Sequence, residues 1–210
     1  MNAIRRLVQL IAVHLIVVLP LAACGYLIPA HHQTLDPIEI KPGAYQLDPD
    51  HASALFKVDH LGFSTVVGRF DRIEASLEFD AKKPEEAKLD VLITTASLNI
   101  HPEALQTELQ GSSWFDVETY PQARFTSRKI TVLGPDSGKV EGDLTLHGET
   151  KPIALEVKFN GGGNNLLTGA YTLGFSATGT IKRSEFGMGT LVPAIGDEVE
   201  LEIHAEFKRT

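Results

Sequence analysis

Apolar and polar side chains alternate almost without error in Val140-Glu141-Gly142-Asp143-Leu144-Thr145-Leu146, and again in Ile153-Ala154-Leu155-Glu156-Val157-Lys158-Phe159. Successive side chains of a strand point to opposite faces, so a period of two gives each segment one apolar and one polar face. A slip of one residue would turn the whole apolar set into water, which fixes the register. The two segments, joined by the polar connection 147–152, predict a hairpin from a sheet covered on one side only.

The same pattern recurs along most of the chain. Ala54, Phe56, Val58 and His60 share a face opposite Ser53, Lys57 and Asp59. In 65–79 the apolar parity changes near Asp71-Arg72, which predicts a bend, and Gly68 marks a close backbone approach. Further strands are expected around 89–93, 124–133 and 170–182, and over 198–208, where Val199, Leu201, Ile203, Ala205 and Phe207 alternate with polar residues. Only Pro102 to about Trp114 reads as helix. Gly161-Gly162-Gly163-Asn164-Asn165 predicts a flexible hairpin tip. Eight or nine successive, mostly antiparallel strands leave a sandwich or a barrel, and periodicity does not choose between them.

At the N-terminus, Arg5 and Arg6 precede an apolar run that ends Leu21-Ala22-Ala23-Cys24. That order predicts a secretory signal peptide over 1–23. The ending looks like a bacterial lipobox, which implies cleavage before Cys24 and lipidation of its sulfur. Several acyl chains, each gaining about 0.8 kcal/mol per buried CH₂, would anchor the protein firmly. Gly25 resembles an outer-membrane sorting signal, so the expected place is the periplasm, on the outer membrane, reached through the lipoprotein-sorting machinery. Residues 24–42 carry Pro29, Pro37 and Pro42 and read as a lipidated N-terminus followed by an extended linker, with 43–210 as one domain. The vicinal His31 and His32 are read as solvated linker side chains, and no metal site is expected.

Cys24 is the single cysteine, so no intrachain disulfide is available. The chain carries 19 basic and 27 acidic residues. Without Arg5 and Arg6, the only charges in 1–23, 17 basic residues remain against those 27. An acidic mature chain argues against nucleic acid as a partner. Motifs of hydrolytic or phosphate chemistry are missing: there is no G-x-S-x-G, H-E-x-x-H or G-x-x-x-x-G-K-[ST]. The sequence therefore predicts a protein that is not an enzyme and needs no cofactor.

Four ordered segments carry a family resemblance: Tyr45-Gln46-Leu47-Asp48 leading through His51 to Phe56-Lys57-Val58-Asp59-His60-Leu61-Gly62; Trp114-Phe115-Asp116-Val117-Glu118-Thr119-Tyr120-Pro121; Gly142-Asp143-Leu144-Thr145-Leu146-His147-Gly148-Glu149-Thr150-Lys151-Pro152; and Lys182-Arg183-Ser184-Glu185-Phe186-Gly187-Met188. Together they resemble the YceI-like family of periplasmic, lipocalin-like lipid-binding proteins, from about Gly43 to the C-terminus. The resemblance implies an eight-stranded antiparallel barrel, with the extra strand arising from a bent first strand counted twice. It also implies an amphiphilic ligand, a polyisoprenoid or quinone-like lipid, held inside the barrel. One stretch departs from the family pattern: Gln106-Thr107-Glu108-Leu109 stands where an Asp-x-His-Leu run is common, so no binding role is carried to Gln106 or Glu108.

The candidate ligand-binding residues are Phe56, Val58, His60, Phe63, Phe70, Phe79, Trp114, Phe115, Phe125 and Arg183. His60 ends an apolar wall, open to an internal hydrogen bond or to ligand contact. Arg183 could meet an anionic head group or a nearby acid. The aromatic residues either line a tunnel or fill the core, because a hollow barrel and a filled one alternate alike. A filled barrel would make the protein a structural or stress-response lipoprotein acting through surface contacts. The sequence leaves room for a homodimer.

Overall fold

The structure, a computed structural model, describes residues 33–210. The expected signal peptide and Cys24 lie outside the described residues. Ten strands form one sheet: β1 (Gly43–His60), β2 (Ser64–Phe70), β3 (Ile73–Phe79), β4 (Lys88–Thr94), β5 (Leu98–Asn99), β6 (Gln122–Val132), β7 (Ser137–Leu146), β8 (Glu149–Asn164), β9 (Tyr171–Lys182) and β10 (Ile195–Arg209). A helix, α1 (Glu103–Gln110), lies between β5 and β6. All strand pairings are antiparallel, and β10 returns to pair with β1. The ring runs β1-β10-β9-β8-β7-β6-β4-β3 and back to β1, a closed eight-stranded barrel. β2 and β5 extend it locally beside the second half of β1.

The expected bends are present. Against β10, β1 shifts register between Leu47 and Ala52, so one long strand reads as two. β2 and β3 break at Asp71-Arg72 and serve successive halves of β1: β3 pairs with Gly43–Gln46 and β2 with Ala54–His60. A Cβ on Gly68 would lie 2.3 Å from Cζ of Phe56, so the ring of Phe56 needs that bare backbone. The β7–β8 connection is tighter than 147–152: Leu146 pairs with Glu149 across the two-residue turn His147-Gly148, both at positive φ.

Two readings are corrected. The glycine run is not a hairpin tip but the end of β8, paired with β9, and the turn falls after it at Asn165–Gly169. The linker reading fails for its last ten residues. Thr34 pairs with Gly162 by two backbone hydrogen bonds of 2.9 Å, and Ile40, 2 % exposed, packs with Tyr45, Leu77, Leu173 and Phe207. A Cβ on Gly162 would lie 2.8 Å from Cδ1 of Ile40 and 2.6 Å from Cδ2 of Leu173. The glycines are small because the incoming segment crosses over them.

The register break in β1 is held by a buried carboxylate. Asp48 is 2 % exposed and accepts hydrogen bonds from Lys208 Nζ at 2.6 Å and His51 Nδ1 at 2.7 Å. Burial alone would raise its pKa, but the bonds from Lys208, His51 and the Asp50 amide outweigh burial and hold it below the usual carboxylate value. The same bond to Asp48, with Glu206 nearby, raises the pKa of His51.

Truncating Ile40→Ala should cost about 2–4 kcal/mol in chemical denaturation, whereas a solvated linker residue would cost almost nothing. His51 has a raised folded-state pKa, so its contribution is full below about pH 6.5 and fades as pH climbs through the folded value. The melting temperature of the native protein should therefore exceed that of His51→Gln near about pH 5.5, and the gap should shrink as pH rises through the raised folded-state value; a gap that widens with pH would contradict the clasp.

Candidate functional site

The strands of a closed ring send every second side chain inward, so the apolar faces anticipated above converge on one interior. They do not meet across it. A cavity of about 570 Å³ runs inside the barrel, within the range of roughly 300–1,000 Å³ that suits a small-molecule ligand. Its middle is aliphatic, with Val91, Ile93, Leu155, Val157, Leu201 and Ile203 on its wall. These residues face inward yet stay only partly buried, as the lining of a hollow does.

Aromatic rings gather at the two ends. Near the α1 end, Phe56, Phe70 and Phe115 stand 5.4 to 5.9 Å apart between centroids. At the other end Phe79, Phe159, Phe175 and Phe207 form a chain with spacings of 5.1 to 5.9 Å. Tilted and edge-on pairs of this kind are stabilising and rigid. At the α1 end Leu98, Ile100 and Leu109 form a cluster with Leu105, Trp114 and Phe115 packed against it, and Leu105, Glu108 and Leu191 border the cavity there. The opposite mouth is lined by Leu35, Pro37, Pro84, Val132, Gly134 and Pro135.

Nine of the ten residues singled out in the sequence line this cavity: Phe56, Val58, His60, Phe70, Phe79, Trp114, Phe115, Phe125 and Arg183. Phe63 does not. It is 89 % exposed at the β1–β2 turn, where Leu61 and Gly62 take positive φ and the strand's in–out parity is lost. The sequence reading missed most of the wall contributed by β8, β9 and β10, including Leu155, Phe159, Phe175 and Leu201. Their alternation is visible in the sequence, but alternation alone does not mark which inward side chains border a hollow.

Arg183 lines the cavity without a carboxylate bonded to it. Only 5 % exposed, it donates from Nε to Gly196 O at 2.8 Å, from Nη2 to Ile195 O at 2.9 Å and from Nη1 to Met188 O. Its guanidinium lies over the Trp114 ring, 5.4 Å from the centroid. Burial pushes its pKa down, and Asp197 counters that shift. The residue fastens the 188–196 segment to the barrel, a role neither sequence alternative described. In the stretch that departs from the family pattern, Gln106 Oε1 accepts from the Ile100 amide at 3.4 Å, while Glu108 borders the cavity. His147 donates from Nδ1 to Phe186 O at 3.0 Å, and its buried Nε2 has no partner among the described residues.

A closed eight-stranded antiparallel barrel around a continuous apolar hollow defines the lipocalin-like class of architecture, and it corrects the filled-barrel alternative. Residues 45–207 match the YceI-like domain, and the chain belongs to that family. A UPF0312 protein of Yersinia pestis (strain Pestoides F) is 38% identical over 164 residues, covering 77% of this chain and 84% of the relative. The crystal structure of the Campylobacter jejuni YceI protein superposes with a TM-score of 0.65 at 31% identity, over 86% of this chain and 99% of that one. A polyisoprenoid binding domain from Saccharophagus degradans, implicated in plant cell wall breakdown, shares the fold with a TM-score of 0.62 at 15% identity, over 81% of this chain and 100% of that one. Residues 33–210 form one compact unit that contains every strand of the closed ring and the cavity inside it.

Proposed function

We propose that this protein holds the tail of an amphiphilic isoprenoid lipid, such as a polyprenyl phosphate or a quinone-like molecule, in its barrel. It would do so as a lipoprotein anchored through Cys24 in the periplasm, on the outer membrane. The observation that carries the reading is the 570 Å³ apolar hollow inside a closed ring. Family membership supports it, as does the shared fold of a domain described as polyisoprenoid binding.

The energetics fit a carrier. Moving an isoprenoid tail from water into the hollow gains about 0.8 kcal/mol per methylene-sized group. Moving it from a bilayer is nearly neutral, because the membrane interior is equally apolar. A protein of this kind can accept and release its ligand at a membrane, while selecting by tunnel shape and a few polar groups. No bond need be made or broken.

Filling the hollow should abolish binding without unfolding the barrel. In residues 33–210, Leu155→Trp should lower polyprenyl phosphate binding about tenfold or more in native mass spectrometry, with the far-UV circular dichroism unchanged. Equal binding by variant and native protein would place the lipid elsewhere. In a bacterial host, Cys24→Ala should move the protein from the membrane to the soluble periplasmic fraction; firm membrane association of the variant would show that the thiol is not the anchor.

A further inference from the structure

We infer that the end of the barrel opposite α1 is a docking face for a lipid bilayer, through which the tunnel loads; this rests on the carrier reading above. Three segments lie at that end. The incoming chain is pinned there by the Thr34–Gly162 pairing, and the β8–β9 turn begins three residues beyond Gly162. The β6–β7 turn lies beside the same strand, because Phe159 donates its amide to Asp136 O at 2.7 Å.

Each segment presents apolar side chains to solvent. They are Leu35 and Ile38 on the incoming chain, Leu133 on the β6–β7 turn, and Leu166 and Leu167 on the β8–β9 turn, with Leu167 96 % exposed. Among the described residues, none covers them. Leucine at the tip of a polar turn gains nothing in water, but inserts readily below the head groups of a membrane. The rim also adjoins the cavity: Leu35, Pro37, Val132, Gly134 and Pro135 border it at this end.

Tether length selects a bilayer over other occupants. Eight residues separate Cys24 from Gln33, a chain that spans at most about 30 Å when extended. Gln33 stands at this rim, so a lipid on Cys24 keeps these leucines, rather than the α1 end, within reach of the membrane surface. At the α1 end Leu61 and Phe63 on the β1–β2 turn are also exposed, as are Leu191, which borders the cavity, and Val192 in the adjoining 189–194 loop, tied to that turn by the Leu61 amide bonded to Ala194 O at 3.1 Å. Leu61 and Phe63 make the natural control. With acidic side chains in excess, docking should depend on apolar insertion and persist in high salt.

The test uses residues 33–210 with phosphatidylcholine vesicles, empty or doped with a polyprenyl phosphate. Three proteins are compared: the native sequence, the rim variant Leu133→Ser/Leu166→Ser/Leu167→Ser, and the control Leu61→Ser/Phe63→Ser. The rim variant should lose about tenfold or more both in co-sedimentation with empty vesicles and in the initial rate of lipid uptake from doped ones. It should bind detergent-delivered lipid as the native protein does, and the control should match the native protein throughout. Undiminished vesicle binding by the rim variant, or a loss carried by the control, would overturn the docking face while leaving the carrier reading intact. A native dimer that the rim substitutions dissolve, without vesicle binding, would assign the face to a second copy and also overturn it. If no protein takes up detergent-delivered lipid, the carrier reading fails, and co-sedimentation alone still decides the face.

Discussion

Pairing of the first strand with the last makes everything else in this molecule consequential. From Tyr45 opposite Arg209 to His60 opposite Ile195, β1 and β10 close a sheet that would otherwise expose two long edges. Closure turns a set of amphipathic strands into a chamber. It also demands that β1 follow two different neighbours, β3 below and β2 above, which a straight strand cannot do. The register break at Leu47–Ala52 supplies the bend, and the Asp48 carboxylate with Lys208 and His51 holds it. A buried carboxylate costs desolvation unless it is fully bonded, and here it is.

The chamber is hollow because of where the large side chains stand. Phenylalanines cluster at both ends of the barrel and aliphatic residues occupy its middle. An eight-stranded ring is wide enough that valine and leucine from opposite walls leave a gap. The two ends are finished differently. At one, α1 and the segment fastened by Arg183 border the cavity. At the other, Ile40 seals one side of the rim while the β3–β4 and β6–β7 connections border an opening. Arg183 shows how such a site can carry a buried cation: three backbone carbonyls take the place of a counter-ion.

Much of the fold was legible because alternation is a local property of the chain. The strands from β6 to β10 follow directly from it, as do the bend at Asp71-Arg72 and the tight approach at Gly68. What alternation does not encode is the distance across the ring, so the choice between a filled and a hollow barrel needed three-dimensional positions. Phe63 was misplaced because parity does not pass through a turn with two positive φ angles. Residues 33–42 look like linker because prolines break periodicity, yet Ile40 in the core and the Thr34–Gly162 pairing anchor them. The glycine run looked like a tip because its reason for being small, a chain crossing overhead, lies more than a hundred residues away. Arg183 was recognised as a site residue, but its backbone partners are invisible in side-chain pattern.

The central claim is that the interior of this ring accepts a lipid tail. Its most direct test is crystallography of residues 33–210 after incubation with a terminally brominated polyprenyl phosphate, locating the bromine by anomalous scattering. The account predicts a bromine peak inside the ring, among the aliphatic wall of Leu155, Val157 and Leu201, with continuous tail density toward a mouth. An interior filled by the protein's own side chains, with bromine only on the outer surface, would contradict it.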